Sequence, residues 1–176
     1  MFIIVFSMYF TISYSQEPIS YTEVVNVDST LSANELYSRA RSWFAETYRS
    51  AQDVIQMDDK ENAKIIGKSN FKYDRINDKA SGWVSYTITI EARNGRYKYT
   101  ITNFIHESST GNLYSFGLIT DDAQCPYPKV GGAVLQSWRN KIWDDIKSKI
   151  KVQTPSVIKS LKSSMNQPAL SNKDNW

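Results

Sequence analysis

Residues 83–106 read WVSYTITIEARNGRYKYTITNFIH, in which two alternating β-type runs flank Asn94-Gly95. An Asn-Gly pair favours the two-residue type I′ turn, because both central residues of that turn need a positive φ. The turn predicts an antiparallel hairpin that pairs Glu91 with Lys98 and continues outward one residue at a time along each strand. An opposite-charge pair at this position supports the register.

The predicted register gives the hairpin one apolar and one polar face, because successive residues of a strand point to opposite sides. The apolar face, expected in the core, holds Val84, Tyr86, Ile88, Ile90, Ala92, Tyr97, Tyr99, Ile101, Asn103 and Ile105. The opposite face is rich in threonine and has its aromatic side chains and an imidazole towards one end. We predict that this face stays open as the binding surface, with candidate residues Trp83, Thr87, Thr100, Thr102, Phe104 and His106.

The sequence around the hairpin predicts the order β-α-β-β-β-β-α. The elements before the hairpin are a strand at 19–28, a helix from the capping box at Ser32 to about Arg49, and strands at 53–58 and 63–73. Those after it are an irregular stretch at 108–132 with a short strand near 113–119, a helix at 134–151, and a separate final helix opened by Thr154-Pro155. The predicted fold class is α+β, with one face of a mostly antiparallel sheet covered by two amphipathic helices.

The N-terminal segment predicts export. Residues 1–12 are an apolar run too short to span a membrane and of the right length for a signal peptide. We therefore predict a signal peptide at 1–15, a single domain at 16–166 and a disordered tail at 167–176. The expected location is the periplasm or cell envelope, without a lipid anchor because no Cys follows the apolar run. The first basic residue is Arg39, so the usual basic start of a signal peptide is missing, and a buried first strand is the alternative.

Composition removes several kinds of chemistry. The chain has 176 residues, one Cys, one His and a formal net charge of +3. A single Cys excludes a disulfide within the chain and a Cys-based metal cluster, and a single His excludes an HExxH site. The adjacent acidic pairs have neither the spacing of a catalytic carboxylate dyad nor that of a Ca²⁺ loop. No cofactor or metal is expected.

Several stretches together resemble a known family. They are Leu36–Phe44, Ala51–Asp58, Lys64–Gly67, Gly82–Ile90 and Tyr97–Phe104, followed by His106-Glu107. Over roughly residues 20–108 the chain resembles a secreted bacterial domain-of-unknown-function family with a fold like that of the TATA-box-binding protein (TBP-like), found in gut-dwelling Gram-negative bacteria. The resemblance implies a β-α-β(4)-α fold and export, and it supplies no activity and no catalytic residues.

Three further interpretations concern chemistry and partners. His106 and Cys125 are the only residues that can form a Cys-His pair, which would make the protein a hydrolase-like or thiol-dependent enzyme. Residues 139–162 carry seven basic and two acidic side chains and could weakly contact an anionic surface. Nucleic-acid binding is disfavoured, because the predicted open face is threonine-rich and carries Glu91.

The leading interpretation is a non-enzymatic binding module. It would use the open sheet face or the loop 108–131 to contact a protein or a carbohydrate, since exposed aromatic rings beside hydroxyls suit both. The alternatives are the enzyme built on His106 and Cys125 and a structural envelope protein whose sheet face docks on itself or on a second domain.

Overall fold

The computed structural model describes residues 17–126 and 132–167. Its elements are β1 (Tyr21–Asn26), α1 (Ala33–Thr47), α2 (Ala51–Val54), β2 (Ile55–Asp59), β3 (Lys64–Tyr73), β4 (Gly82–Arg93), β5 (Arg96–Ser108), a 3-10 helix (Asn112–Tyr114), β6 (Gly117–Leu118) and α3 (Gly132–Met165). The predicted signal peptide, residues 127–131 of the predicted loop and residues 168–176 of the predicted tail lie outside the described residues.

The strands form one antiparallel sheet with the order β1-β5-β4-β3-β2. The short β6 pairs with β5 beyond the end of β1, through Ile105 opposite Leu118. Helices α1 and α3 pack on one face of this sheet, as the alternation of buried and exposed residues in β4 requires. The predicted α+β class and the covered antiparallel sheet are therefore confirmed, with α2 and β6 as small additions.

Helix α1 begins where the sequence predicts and is fixed to the hairpin turn. The Ser32 hydroxyl accepts from the Glu35 amide at 3.1 Å, and Asn94 Oδ1 accepts from the Ala33 amide at 2.9 Å. The turn residue that sets the hairpin thus also satisfies one of the unpaired amides at the start of the helix. Its apolar stripe is buried, and Phe44 packs so tightly on β3 that a Cβ on Gly67 would lie 2.4 Å from the Phe44 ring.

Helix α3 corrects the prediction of two C-terminal helices. It runs unbroken from Gly132 to Met165 with Pro155 in its interior. A proline inside a helix removes one hydrogen bond and costs about 3 kcal/mol. The apolar stripe continues on both sides of this point, with Ile142, Ile146, Ile150, Leu161 and Met165 buried, and Thr154 beside the proline is buried as well. Packing of that stripe on the domain offsets the proline, so residues 152–166 belong to the domain itself.

The hairpin follows the predicted register for only part of its length. Pairs from Arg93–Arg96 to Thr87–Thr102 are as predicted, but farther along Ser85 pairs with Ile105 and Val84 with His106. Strand β5 holds one extra residue there, at the bulge where Asn103 has a φ of 55°. Beyond a bulge, residues change the face to which they point. The predicted faces are therefore wrong for residues 103–106.

Candidate functional site: the open face of the sheet

The open face is the side of the sheet that no element of residues 17–126 or 132–167 covers. Its members alternate with the buried residues along each strand. They are Thr22 and Val24 of β1, Met57 and Asp59 of β2, Lys64, Ile66, Lys68, Asn70 and Lys72 of β3, Trp83, Ser85, Thr87, Thr89, Glu91 and Arg93 of β4, Arg96, Lys98, Thr100, Thr102, Ile105 and Glu107 of β5, and Leu118 of β6.

Hydroxyl groups occupy the centre of the open face. Thr87 lies opposite Thr102, and Thr89 lies opposite Thr100. The Thr22 hydroxyl extends the array by donating to that of Thr100 at 3.2 Å, and Thr102 donates to the Ile19 carbonyl at 3.2 Å. The predicted placement of Thr87, Thr100 and Thr102 on this face is confirmed, and their role in binding stays a prediction.

Trp83 lies on the open face with 48% of its surface exposed. It stands between Lys72 on β3 and Glu107 on β5. The sequence predicts Phe104 and His106 as its neighbours on this face, but the bulge brings Ile105 there instead. Ile105 lies opposite Leu118, which is 39% exposed. The apolar end of the open face is therefore formed by Trp83, Ile105 and Leu118.

Phe104 lies in the core, which corrects its assignment to the binding surface. It is 1% exposed, with ring centroids 5.7 Å from Tyr86 and 6.1 Å from Tyr21. The extra residue at Asn103 turns this side chain inward. Strict alternation in the sequence gives no sign of the bulge, but Asn is among the residues that accept a positive φ most readily, and this is the only local signal.

His106 is also buried, with no exposed surface. Its Nδ1 accepts from the Phe116 amide at 3.2 Å, so Nε2 carries the proton and donates to the Ala80 carbonyl at 2.9 Å. The rings of Tyr73 and Phe116 pack against it edge-on. Burial lowers the pKa of His106, so the imidazole is neutral. Its assignment to the open face is wrong, and it serves as a core side chain that joins two loops to β5.

Cys125 does not complete a Cys-His pair with this imidazole. Its amide donates to Asn140 Oδ1 at 3.2 Å, and its carbonyl accepts from Gln136 Nε2 at 3.4 Å, so α3 holds the backbone of this loop residue. Both ring nitrogens of His106 are bonded to backbone groups, which leaves neither free to activate a thiol. The geometry thus opposes the alternative of an enzyme built on these two residues.

Charged side chains frame the hydroxyl array with an excess of positive charge. Glu91 lies between Lys64, at 3.1 Å, and Lys98, at 3.9 Å. Lys68 and the hairpin-end residues Arg93 and Arg96 have no ion-pair partner among the described residues. A depression of about 850 Å³ at the hairpin end is lined by Val24, Met57, Asp59, Asn62, Lys64, Glu91, Arg93, Arg96 and Lys98. The hairpin sequence alone gives no sign of the lysines that β3 adds to this face.

Known proteins share this architecture. Residues 21–107 match the family described as a domain of unknown function (DUF4468) with TBP-like fold. This segment of 87 of the 176 residues is therefore similar to the DUF4468 family. The fold resembles a TBP-like protein from Parabacteroides distasonis (TM-score 0.53, 13% identity, 85% of this chain and 96% of that chain). It also resembles a DUF4468 family protein from Bacteroides ovatus (TM-score 0.55, 14% identity, 86% of this chain and 88% of that chain). No curated protein matches the chain.

The fold accounts for three of the seven basic side chains in the stretch 139–162. Arg139 is buried and donates to the Leu113 carbonyl, Lys147 donates to the Asp122 carbonyl, and Lys162 pairs with Glu23. The remaining basic residues, Lys141, Lys149, Lys151 and Lys159, are exposed. Contact of this helix with an anionic surface stays a prediction, and these four exposed lysines are the side chains available for it.

Residues 17–126 and 132–167 contain neither a metal-binding cluster nor a membrane-spanning helix. No group of three His, Cys, Asp or Glu side chains there is arranged to hold a metal ion. No helix in these residues combines the length and apolar composition needed to cross a bilayer.

Proposed function

We propose that this protein is a binding module and that the open face of the sheet contacts an acidic protein partner. The observation that carries the proposal is the half-exposed Trp83 beside Ile105 and Leu118 on an uncovered sheet. Large aromatic side chains are enriched at protein interfaces and often contribute most of the binding energy. Exposed apolar residues clustered on an otherwise polar surface typically mark such a contact.

The shape of the open face favours a protein over a carbohydrate. Small-molecule sites are usually concave, and sugars commonly lie against aromatic rings. Trp83 is the one aromatic side chain among the members of this face, and it does not line the depression at the hairpin end, so the concave part of the face has no exposed aromatic ring for a sugar. The cationic excess from Lys68, Arg93 and Arg96 favours an acidic partner, because complementary charge speeds association and excludes wrong partners.

Affinity capture from an envelope extract tests the proposal. The bait is the purified protein, with Trp83→Ala and Lys68→Glu as open-face variants and Ile76→Ala as the matched control. Ile76 is 96% exposed and lies in the turn between β3 and β4, outside the strands that form the open face. Nuclease treatment of the extract separates a protein partner from a nucleic acid.

The expected result is an acidic protein retained by the wild type and by Ile76→Ala and lost with both open-face variants. The purified partner should then bind with an affinity that falls as salt rises, since surface charges are screened. Capture unaffected by Trp83→Ala and Lys68→Glu would refute the open face as the site. The loop 108–131, whose exposed Leu113 lies in the described part, would be tested next.

The predicted location stays part of the proposal. Export rests on the apolar run 1–12, and cell fractionation with N-terminal sequencing of the mature protein tests it. Recovery from the envelope fraction with an N-terminus near Gln16 is expected. Recovery in the cytoplasm with an intact N-terminus would refute it.

A further inference from the structure

The edge of the sheet formed by β1 has a row of backbone groups directed away from the sheet. In an antiparallel ladder, alternate residues bond to the neighbouring strand. The Val27 amide donates to the Gly95 carbonyl at 2.9 Å, which assigns the bonds towards β5 to Tyr21, Glu23 and Val25. The amides and carbonyls of Thr22, Val24 and Asn26 therefore point outward, and no other strand of the described residues pairs with them.

The two edges of the sheet differ in how they are protected. At the far edge, β2 is interrupted by a bulge between Ile55 and Met57, and the helix α2 runs directly into it. Bulges, lysines and prolines are the usual devices that prevent an edge strand from pairing. β1 reads YTEVVN and pairs regularly along all six residues. Val24, at its centre, has 54% of its surface exposed.

We propose that two copies of the chain associate through β1, antiparallel about a two-fold axis at Val24. This register places Val24 opposite Val24 of the partner subunit and Thr22 opposite Asn26 of the partner subunit. All of these residues have outward-pointing backbone groups, so each such amide and carbonyl finds a partner. The two sheets become one continuous sheet with helices on the same face.

Side chains select this register over its neighbours. Centred on Val24, it sets Glu23 opposite Val25 of the partner subunit and buries the exposed Val24 against its own copy. A register centred on Glu23 would oppose two carboxylates directly, which is destabilising across strands. A register centred on Val25 would leave the outward groups of Thr22 opposite Asp28 of the partner subunit, beyond the end of β1. A second copy is therefore the occupant that fits this edge.

The contact continues beneath the sheet, where α3 passes the same edge. A groove of about 590 Å³ between β1 and α3 is lined by Glu23, Tyr99, Pro155, Ile158, Lys159, Lys162, Ser163 and Asn166. Glu23 and Lys162 neutralise each other at 2.7 Å, which removes one source of repulsion between the copies. Pro155 and Ile158 give the groove an apolar part that the second copy would cover.

Cysteine cross-linking tests the register. In a Cys125→Ser background, Val24→Cys should give a covalent dimer on mild oxidation, because opposed Cα atoms about 5.5 Å apart allow a disulfide. Thr22→Cys alone is the matched control, since in this register its copies lie roughly 13 Å apart along the strands. Mixing Thr22→Cys with Asn26→Cys should restore the dimer. Equal cross-linking by Val24→Cys and Thr22→Cys would overturn the proposal.

A proline variant tests the backbone bonds. The Val24 amide points outward, so Val24→Pro removes no hydrogen bond within the chain and the fold should persist by circular dichroism. It removes the bonds at the two-fold axis, and the dimer should weaken about tenfold or more, whereas Val24→Thr should retain it. A wild type that stays monomeric by light scattering at its highest soluble concentration would overturn the proposal. Trp83→Ala should leave this dimer intact, which separates it from binding at the open face.

Discussion

His106 is the only histidine in the chain, and its burial makes a prediction about stability in mild acid. Burial lowers the pKa of its imidazole from the ordinary value of 6.5, whereas the unfolded chain keeps that value. Below pH 6.5 the unfolded state therefore binds a proton that the folded state does not. Stability contributed by the neutral imidazole is fully present above pH 6.5 and is lost as the pH falls towards the lowered pKa of the folded state.

The size of the effect follows from one proton. If the folded state takes up none, the free energy of unfolding at pH 5.5 is about 1.4 kcal/mol lower than at pH 7.5. For a domain of this size such a loss lowers the Tm by roughly 3–5 °C. Unpaired carboxylates titrate near pH 4, so the histidine dominates this window. Urea unfolding at pH 7.5, 6.5 and 5.5 measures the loss.

His106→Gln provides the control, because Gln can still donate to the Ala80 carbonyl but does not titrate. The variant should be less stable than the wild type at pH 7.5 and should show a flat pH dependence between pH 7.5 and 5.5. The imidazole C–H resonance of this single histidine gives an independent NMR reading of the pKa in the folded state. A pKa at or above 6.5, or equal pH slopes for the wild type and His106→Gln, would refute the reasoning.

Other predictions follow from particular contacts. Phe104→Ala should lower the free energy of unfolding, measured with urea, by about 3–5 kcal/mol, as expected for a large buried ring. Trp83→Ala should lower it by under about 1 kcal/mol, and equal losses would mean that the two faces are wrongly assigned. Gly67→Ala should cost about 1–3 kcal/mol by pressing on the Phe44 ring, and a Phe44→Leu background should reduce that cost. Asn94→Ala should lower the free energy of unfolding by about 1 kcal/mol, because it removes the acceptor of the Ala33 amide at the start of α1, and a neutral result in thermal unfolding would contradict this capping role.

Local patterns were sufficient to predict most of the fold. The position of the Asn94-Gly95 turn, the cap at Ser32 and the alternation in β4 each depend on residues close together in the sequence, and all three are confirmed. The predicted type I′ geometry of the turn is wrong, because Gly95 has a positive φ of 69° and Asn94 does not. Local signals also misled. Thr154-Pro155 is a typical helix start, but the helix continues through it because long-range packing of Ile150 and Leu161 outweighs the proline.

The candidate site was harder to predict, because it depends on elements far apart in the sequence. The lysines of β3 reach the open face only through pairing with β4, which a hairpin analysis does not include. Arg39 shows the same limit. This residue of α1 is buried and donates to the Met165 carbonyl at 3.0 Å, where α3 ends. The buried Arg39 satisfies a carbonyl of another helix, and nothing in its own neighbourhood of the sequence indicates that partner.

The bulge at Asn103 links the core, the open face and the free edge. By shifting β5 by one residue it turns Phe104 and His106 inward and Ile105 outward, so the apolar end of the open face consists of Trp83, Ile105 and Leu118. The bulge also lies between the part of β5 that pairs with β1 and the part that pairs with β6. Because the bulge lies beyond the residues of β5 that pair with β1, the ladder of β1 is regular along all six residues, and the outward groups around Val24 are left in a regular strand that a second copy can pair with.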